Sequence, residues 1–306
     1  MIHIQTKEIA QSKPTIITIG NFDGMHKGHV KLINETVSYA KEKGLQSLVL
    51  TFSPHPRVIL RGEKVPHIFS STEKAKALQE MGVDIFIEYP FDKEFANYSP
   101  KEFLQEILHN KLNASAIVVG ENYHFGKHGT GDINMLQGFA KNHNIDLLVK
   151  QLQLQEGATI NSTSIRKAIQ EGNISLANKM LGRAFYIDGI VLSGEQRGRQ
   201  IGFPTANLIP HPTKVLPKNG VYITSTHVDG GAAQPSITNI GIKPTFDGEA
   251  ITIETHVLDF SADIYSKTIG INFLDRIRDE QKFSGLDELK ENIKKDSDIA
   301  RQYHKI

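Results

Sequence analysis

The sequence predicts a chain of α/β class followed by β class: a mostly parallel sheet flanked by helices, then a small antiparallel barrel with a terminal helix. Three observations carry this. Short apolar runs alternate with helical patterns through the first half, as in a sheet buried on both faces. After about Gly182 the texture changes to short strands separated by glycine and proline turns. The 306 residues suffice for two domains at roughly 150 residues each, and we set the division at 1–184 and 185–306.

Taken in order, Ile16 to Ile19 is a buried strand and Gly20 to Gly28 a turn-rich stretch. Leu32, Ile33, Thr36, Val37 and Ala40 recur at helical spacing between His29 and Lys43, and Gly44 ends the run. Ser47 to Phe52 is the second strand. Ser70 with Glu73 is a capping-box pair opening a helix toward Ala77 and Leu78. Ile85-Phe86-Ile87 is the third strand. Ser99-Pro100-Lys101-Glu102 starts a helix with a cap, a first-turn proline and a glutamate at the third position. Phe103, Leu104, Ile107 and Leu108 form its buried stripe. Ala116 to Val119 and Leu147 to Val149 complete the strands. In the second half, Phe185 to Leu192, Gly220 to Ser225 and Ala250 to Leu258 read as barrel strands. The terminal helix is expected to take Ser284 as its cap and Leu286, Leu289, Ile293, Ile299 and Tyr303 as its inner residues.

Composition excludes several classes. With 35 Lys+Arg against 34 Asp+Glu the net charge is +1, which argues against broad nucleic-acid binding. The absence of cysteine removes disulfides, thiolate nucleophiles and cysteine-ligated metal. The N-terminus lacks a basic-then-apolar leader, and no apolar run approaches the roughly 20 residues that cross a bilayer. The expectation is a cytoplasmic protein whose partners are small molecules, with neither nucleic acid nor membrane, and with no oligomeric state implied.

Ligands of open α/β sheets sit beyond the carboxyl ends of the strands. Gly20-Asn21-Phe22-Asp23-Gly24-Met25-His26-Lys27-Gly28-His29 lies there, between a strand and a helix. Its glycines permit a tight turn, and the helix start offers unpaired amides to an anion. His26 and His29 could donate to phosphate oxygens. On the residues alone they could equally be incidental, or two ligands of a zinc site lacking a third. The run is neither a P-loop nor a dinucleotide fingerprint.

This stretch resembles the HxGH signature of nucleotidylyl transferases, and in its longer form the N-terminal module of the bacterial bifunctional riboflavin kinase/FAD synthetase family. Thr51-Phe52-Ser53-Pro54-His55-Pro56-Arg57, Gly120 to Gly126 with Gly131-Asp132, and Ser162-Thr163-Ser164-Ile165-Arg166 resemble further segments of that module. Alone, the serine–threonine run would read as a helix cap. The resemblance implies a Rossmann-like domain in which the 5'-phosphate of FMN attacks the α-phosphorus of ATP, giving FAD and pyrophosphate. It implies that His26 and His29 hold ATP phosphates, and that Ser162, Thr163 and Arg166 close from the other side. Gly20, Asn21, Phe22, Asp23 and Gly28 would line the nucleotide pocket, His55 and Arg57 would position phosphate, and Asn122 would belong to the flavin-side loop.

Gly194 to Asn207 is the second motif. Thr205 and Asn207 alternate along an extended stretch and so face one side. A hydroxyl and an amide carbonyl together could ligate magnesium, or the run could be a polar loop at a barrel rim. Glu254, on a strand, reads alone as a solvent-facing carboxylate. The run resembles the signature of riboflavin kinases, with Gly198, Arg199, Gly202, Pro204, Thr205 and Asn207 in place. Asn239 to Phe246, Ile253-Glu254-Thr255-His256 and Arg276 to Phe283 follow in the family's order. The resemblance implies a riboflavin kinase barrel using ATP and Mg2+, with Glu254 as base for the ribityl 5'-hydroxyl, Thr205 and Asn207 as metal ligands, and Arg276 and Arg278 in a flap over the flavin phosphate. Ser266 stands where the family has glycine, implying a changed turn. Two other functions fit the same motifs: one activity alone, or a non-catalytic nucleotide- or RNA-binding regulator.

Overall fold

The computed structural model describes residues 1–151, 154–155, 158–192, 202–245 and 248–306. The expected site residues Gly198 and Arg199 lie outside the described residues. The chain divides into two compact units, Met1–Ser162 and Thr163–Ile306.

The first unit is built on a six-stranded sheet of order β1-β4-β3-β2-β5-β6. Its strands are β1 (Ile2–Ile4), β2 (Thr15–Ile19), β3 (Gln46–Ser53), β4 (Ile85–Pro90), β5 (Ala114–Gly120) and β6 (Asp146–Lys150), and every pairing is parallel. The helices are α1 (Lys27–Lys43), α2 (Pro56–Arg61), α3 (Ser71–Glu80), α4 (Pro100–Glu102) and α5 (Ile133–Asn142). Strand alternation sorts β2 between two layers. Ile17 and Ile19 join Leu48, Leu50, Ile107 and Leu136 on one face. Ile16 joins Ala40, Ala116 and Val118 on the face covered by α1. The expected capping boxes at Ser70/Glu73 and Ser99/Glu102 both form. Beyond α4 the helix widens into π-type turns over Phe103–Lys111, with Phe103, Leu104, Ile107 and Leu108 buried as expected. Strand β1 and helix α5 are additions to the sequence reading. Two short strands, β7 (Leu154–Gln155) and β8 (Ala158–Thr159), form a hairpin.

The second unit opens with α6 (Ser162–Gln170) and α7 (Ile174–Leu181). Its barrel closes in the order β10-β13-β12-β11-β14-β9, through antiparallel pairings. These strands are β9 (Phe185–Leu192), β10 (Ala206–Leu208), β11 (Gly220–Val228), β12 (Gln234–Thr245), β13 (Gly248–Val257) and β14 (Thr268–Arg278). Asn178 fixes α7 to the barrel: its amide donates to the Phe273 carbonyl at 2.8 Å and accepts from the Phe185 N–H at 2.7 Å. The barrel interior carries hydroxyls. Thr226, Ser236, Thr224, Thr238 and Thr255 form one hydrogen-bonded chain with steps of 2.8–2.9 Å.

The terminal helix α8 (Leu286–His304) corrects the expectation for its inner face. Gly285 is the N-cap, and Ser284 instead gives its N–H and hydroxyl to the Glu288 carboxylate at 2.8 and 2.7 Å. Leu286, Ile299 and Tyr303 are exposed. The face against the barrel carries Ile293, Asp296, Ser297 and Ala300. Its rotation follows from one ion pair: Asp296 accepts from Nε and a terminal nitrogen of Arg278 on β14 at 3.0 and 2.7 Å. This bidentate geometry admits one orientation, and small residues on either side let the helix close on the strands.

Ser266 adopts a φ of 61°, a left-handed conformation that strains a residue with a Cβ. Ser266→Gly is expected to stabilise the protein by about 0.5–1 kcal/mol, relieved strain being set against glycine's unfolded-state freedom. An unchanged or lowered urea midpoint would contradict this. Asp296→Ala leaves a half-buried guanidinium without its carboxylate. The expected cost is about 2 kcal/mol, between the values for exposed and fully buried pairs, read in the same urea titration.

Candidate functional sites

In the first unit the chain runs from β2 through β3 to β4 on one side of the sheet and through β5 to β6 on the other. The order reverses between β2 and β5, and the crevice beyond their carboxyl ends is where such sheets take ligands. The loop leaving β2 occupies it. Phe22, Gly24 and Met25 have φ of 46°, 78° and 42°, and Phe22 and Met25 are fully buried. Each non-glycine residue in this region costs about 1–3 kcal/mol and persists only where its surroundings impose it. Here Asp23 does so. Its buried carboxylate accepts from the N–H of Ile68 at 3.0 Å and of Phe69 at 2.9 Å. The Ser162 hydroxyl donates to the Asp23 carbonyl at 2.9 Å, and the Thr51 hydroxyl to the Asn21 carbonyl at 3.1 Å.

The loop delivers the chain into α1 with His26 as N-cap. The His29 N–H donates to His26 Nδ1 at 3.4 Å, so the neutral ring carries its proton on Nε2. The two imidazoles stack with centroids 3.6 Å apart and 22° between planes, and Phe22 sets its edge on His29. They stand at the positive end of a 17-residue helix.

Gly20, Asn21, Phe22, His26, Gly28, His29, Asn122 and Ser162 line one cavity of about 310 Å3. Lys31 and Lys150 line it too; sequence reasoning missed both, and only the position of Lys31 one turn beyond the histidine loop could have signalled it. Lys150 is paired with Glu35 at 2.8 Å. Imidazoles, ammonium groups and helix amides around a cavity of this size suit a chain of phosphates. Asp23 serves the loop and is absent from the wall. His55 meets the Asn21 amide at 3.2 Å through Nε2, while Nδ1 accepts from the Arg57 N–H. Arg57 pairs with Glu63 at 2.5 Å. Thr163 and the buried Arg166 follow on α6, inside the second unit. Among the described residues no group of three His, Cys, Asp or Glu gathers as for a metal.

A second cavity in this unit, about 480 Å3, is walled by Phe52, Phe91, Phe95, Tyr98, Phe103 and Phe125. Tyr123 lines both cavities and stacks on Phe125 at 5.5 Å and 19°. An aromatic-walled space beside a phosphate-binding space suits a flat ring joined to a phosphate. The crowding of aromatics from Phe91 to Phe125 was the available sequence signal.

In the second unit the short strand β10 places Thr205 and Asn207 beside β13. Asn207 and Glu254 are direct cross-strand partners, and Asn239 of β12 is Glu254's partner on the other side. Side chains so paired lie about 5 Å apart at Cβ. Thr205, Asn239, Glu254 and Arg278 line a cavity of about 210 Å3 on the outer wall of the barrel, closed by Leu289 and Ile293 of α8. Asn239 lines this cavity, and sequence reasoning gave it no role. A Cβ at Gly241 would meet the Glu280 carboxylate, which the glycine leaves room for. Pro204 and Thr205 also border a cavity of about 300 Å3 lined by Phe260 to Tyr265. Gly202 has a φ of 87°.

The two flap arginines are already engaged. Arg278 is held by Asp296 and donates to the Asp279 carbonyl at 3.1 Å. Arg276 donates to the Asn219 carbonyl at 2.9 Å and to Asp279 at 2.7 Å. Lys218 and Arg276, hydrogen-bonded to Asp279, draw its carboxyl down to about 2. Both arginines hold backbone in place as the structure stands.

The comparisons with known proteins follow the same division. An FAD synthetase family profile matches residues 8–164, and a riboflavin kinase profile matches residues 181–304. The bifunctional riboflavin kinase/FMN adenylyltransferase of Escherichia coli K12 is 35% identical over 96% of this chain and 94% of its own. That of Bacillus subtilis 168 is 36% identical over 98% and 95%. A crystal structure of a macrolide-efflux protein from Streptococcus pneumoniae is 31% identical, with a TM-score of 0.90 covering 98% of this chain and 99% of that one. With both profiles in place and full-length relatives above 30% identity, the chain belongs to the bacterial bifunctional riboflavin kinase/FMN adenylyltransferase family.

Proposed function

We propose that the two cavity systems divide the family's two reactions as follows, with residues 1–184 carrying adenylyl transfer and 185–306 the kinase. The first reaction converts riboflavin and ATP to FMN and ADP; the second converts FMN and ATP to FAD and pyrophosphate. One observation carries the division most strongly. A carboxylate set in register between two asparagines borders one cavity, while stacked histidines at a helix start border another.

In the kinase, Glu254 takes the proton of the ribityl 5'-hydroxyl as its oxygen bonds to the γ-phosphorus of ATP. An alcohol needs such a base; a loose phosphoryl-transfer transition state asks mainly that it be placed well. Thr205 and Asn207 present a hydroxyl and an amide oxygen. These hard oxygen donors fit magnesium, which would offset charge on the phosphate oxygens. The cavity's apolar side, with Leu289, Ile293 and Ile237, supports seating of the flavin ring.

In the adenylyltransferase, the attacking FMN phosphate is already an anion, so His26, His29 and Lys31 act by holding the triphosphate and meeting charge as pyrophosphate leaves. Ser162 braces the loop through Asp23. Thr163 and Arg166 are assigned to the same reaction by their motif alone. The aromatic-walled cavity takes the isoalloxazine ring, with Tyr123 at the junction. The efflux name carried by the pneumococcal structure gives no support for transport here. Among the described residues no helix is long and apolar enough to cross a membrane, and both profiles belong to flavin enzymes. We place the reactions in the cytoplasm, whose reducing conditions and ATP suit a cysteine-free sequence.

Purified protein given riboflavin, ATP and magnesium is expected to yield both FMN and FAD on chromatography; FMN alone would remove the adenylyltransferase reading. Glu254→Gln is expected to slow riboflavin phosphorylation about 10²–10⁴-fold while FAD still forms from added FMN. Loss of both activities in a folded variant would contradict separate sites. His29→Ala is expected to spare FMN production and slow FAD formation by about 10²-fold or more; undiminished FAD turnover would take His29 out of the mechanism.

A further inference from the structure

His256 shares the outer-wall cavity with Glu254 and Thr205, and one of its ring nitrogens is already committed. Nδ1 lies 2.8 Å from the Pro204 carbonyl. A carbonyl only accepts, so Nδ1 carries the proton and the neutral ring keeps a lone pair on Nε2. Phe203 sets its edge on the same ring at 5.4 Å and 75°, fixing its plane. Burial pushes the imidazole pKa below its ordinary value, against the opposing pull of the Pro204 carbonyl, so the acceptor form persists at neutral pH.

Other acceptors line the cavity, the carboxylates of Glu280 and Asp296 and the amide of Asn239 among them, but none of the three stands on Glu254's own strand. Arg278 can only donate, and its guanidinium is bound to Asp296 and the Asp279 carbonyl. Gln281 donates its amide to Asn292 at 3.0 Å. Glu254 and His256 sit two residues apart on β13, facing the same way about 6.6 Å apart along the strand. An extended polyol chain covers that interval: with its terminal hydroxyl at Glu254, an internal hydroxyl lies opposite the imidazole.

We infer that His256 is a substrate-binding and specificity-determining residue of the kinase site, its Nε2 accepting a hydrogen bond from an internal hydroxyl of the ribityl chain. This rests on the kinase reading of the cavity. The bond selects flavins bearing the full polyol.

Two variants separate this role from simple support of Pro204. Asparagine keeps an N–H near the position of Nδ1 but offers nothing at Nε2. Glutamine reaches the Nε2 position with an amide oxygen and gives up the Pro204 bond. In steady-state riboflavin phosphorylation, His256→Asn is expected to raise the KM for riboflavin about 3–10-fold, the worth of one neutral hydrogen bond, with kcat changed by less than about twofold. His256→Gln is expected to recover most of that loss. Wild-type enzyme should lose a similar factor with a riboflavin analogue lacking one internal ribityl hydroxyl, and His256→Asn should no longer distinguish that analogue from riboflavin. An unchanged KM in His256→Asn, a greater loss in the glutamine variant, or a fall in kcat alone in both would overturn the inference. If neither variant gives a cooperative melt, the wild-type analogue series decides, and indifference to every internal hydroxyl would overturn it. Failure of the wild-type protein to make FMN in the same assay would instead strike at the kinase reading itself.

Discussion

The first site depends on one buried carboxylate. Asp23 accepts two backbone N–H groups from the segment that follows α2, and so holds a loop with three residues in left-handed conformation. A hydrogen bond to a charged acceptor contributes about 1.5–3 kcal/mol when the alternative is a buried unpaired group, which is the scale of the strain at Phe22 and Met25. The loop brings α1 in with an imidazole as its cap. Asp23 is committed to backbone geometry, and among the described residues no carboxylate lines the cavity. A carboxylate facing the phosphates would oppose them.

The barrel of the second unit is constrained differently. Its interior is filled by the hydroxyl chain from Thr226 to Thr255, and a closed barrel of six strands leaves its inner side chains little more than room for one another. The candidate site lies instead on the outer wall, where the register of β10, β13 and β12 lines up Asn207, Glu254 and Asn239. An outer wall alone would be wet. Helix α8, turned by Asp296 against Arg278, covers it with Leu289 and Ile293 and makes a cavity of what would otherwise be a solvent-facing ladder.

This difference governs what could be read from sequence. The parallel strands of the first unit are continuous apolar runs, and their helices carry capping pairs at Ser70 and Ser99, so element type and face were legible. Strand β1 was not, because three residues hold no periodicity. The barrel strands broke the expected alternation, since Thr224, Ser236, Thr238 and Thr255 are buried where apolar residues would be looked for. The inner face of α8 was misread for a related reason: its inward residues include an aspartate and a serine, while exposed leucine, isoleucine and tyrosine drew the stripe the wrong way. Of the candidate site residues, His26, His29, Thr205 and Asn207 stand in contiguous motifs that resemblance picks out, and the first three line cavities. Lys31, Lys150, Asn239 and the aromatic cavity are assembled from scattered positions and became visible only in three dimensions.

The two sites also differ in the direction the chemistry demands. Phosphorylating an alcohol requires removal of a proton, so an anionic carboxylate must stand within reach of the hydroxyl while cationic help stays on the phosphate side. Joining two phosphates requires no proton removal, and any carboxylate near the attacking group would raise the barrier by repelling it. One cavity cannot satisfy both conditions, because the group that activates the alcohol in the first reaction would repel the phosphate it has just become. On the proposed assignment the chain meets this with two different walls: one holds Glu254 between Asn207 and Asn239, and the other holds imidazole and ammonium groups with no lining carboxylate among the described residues. On this argument the separation of the sites follows from the charge of the intermediate that passes between the reactions.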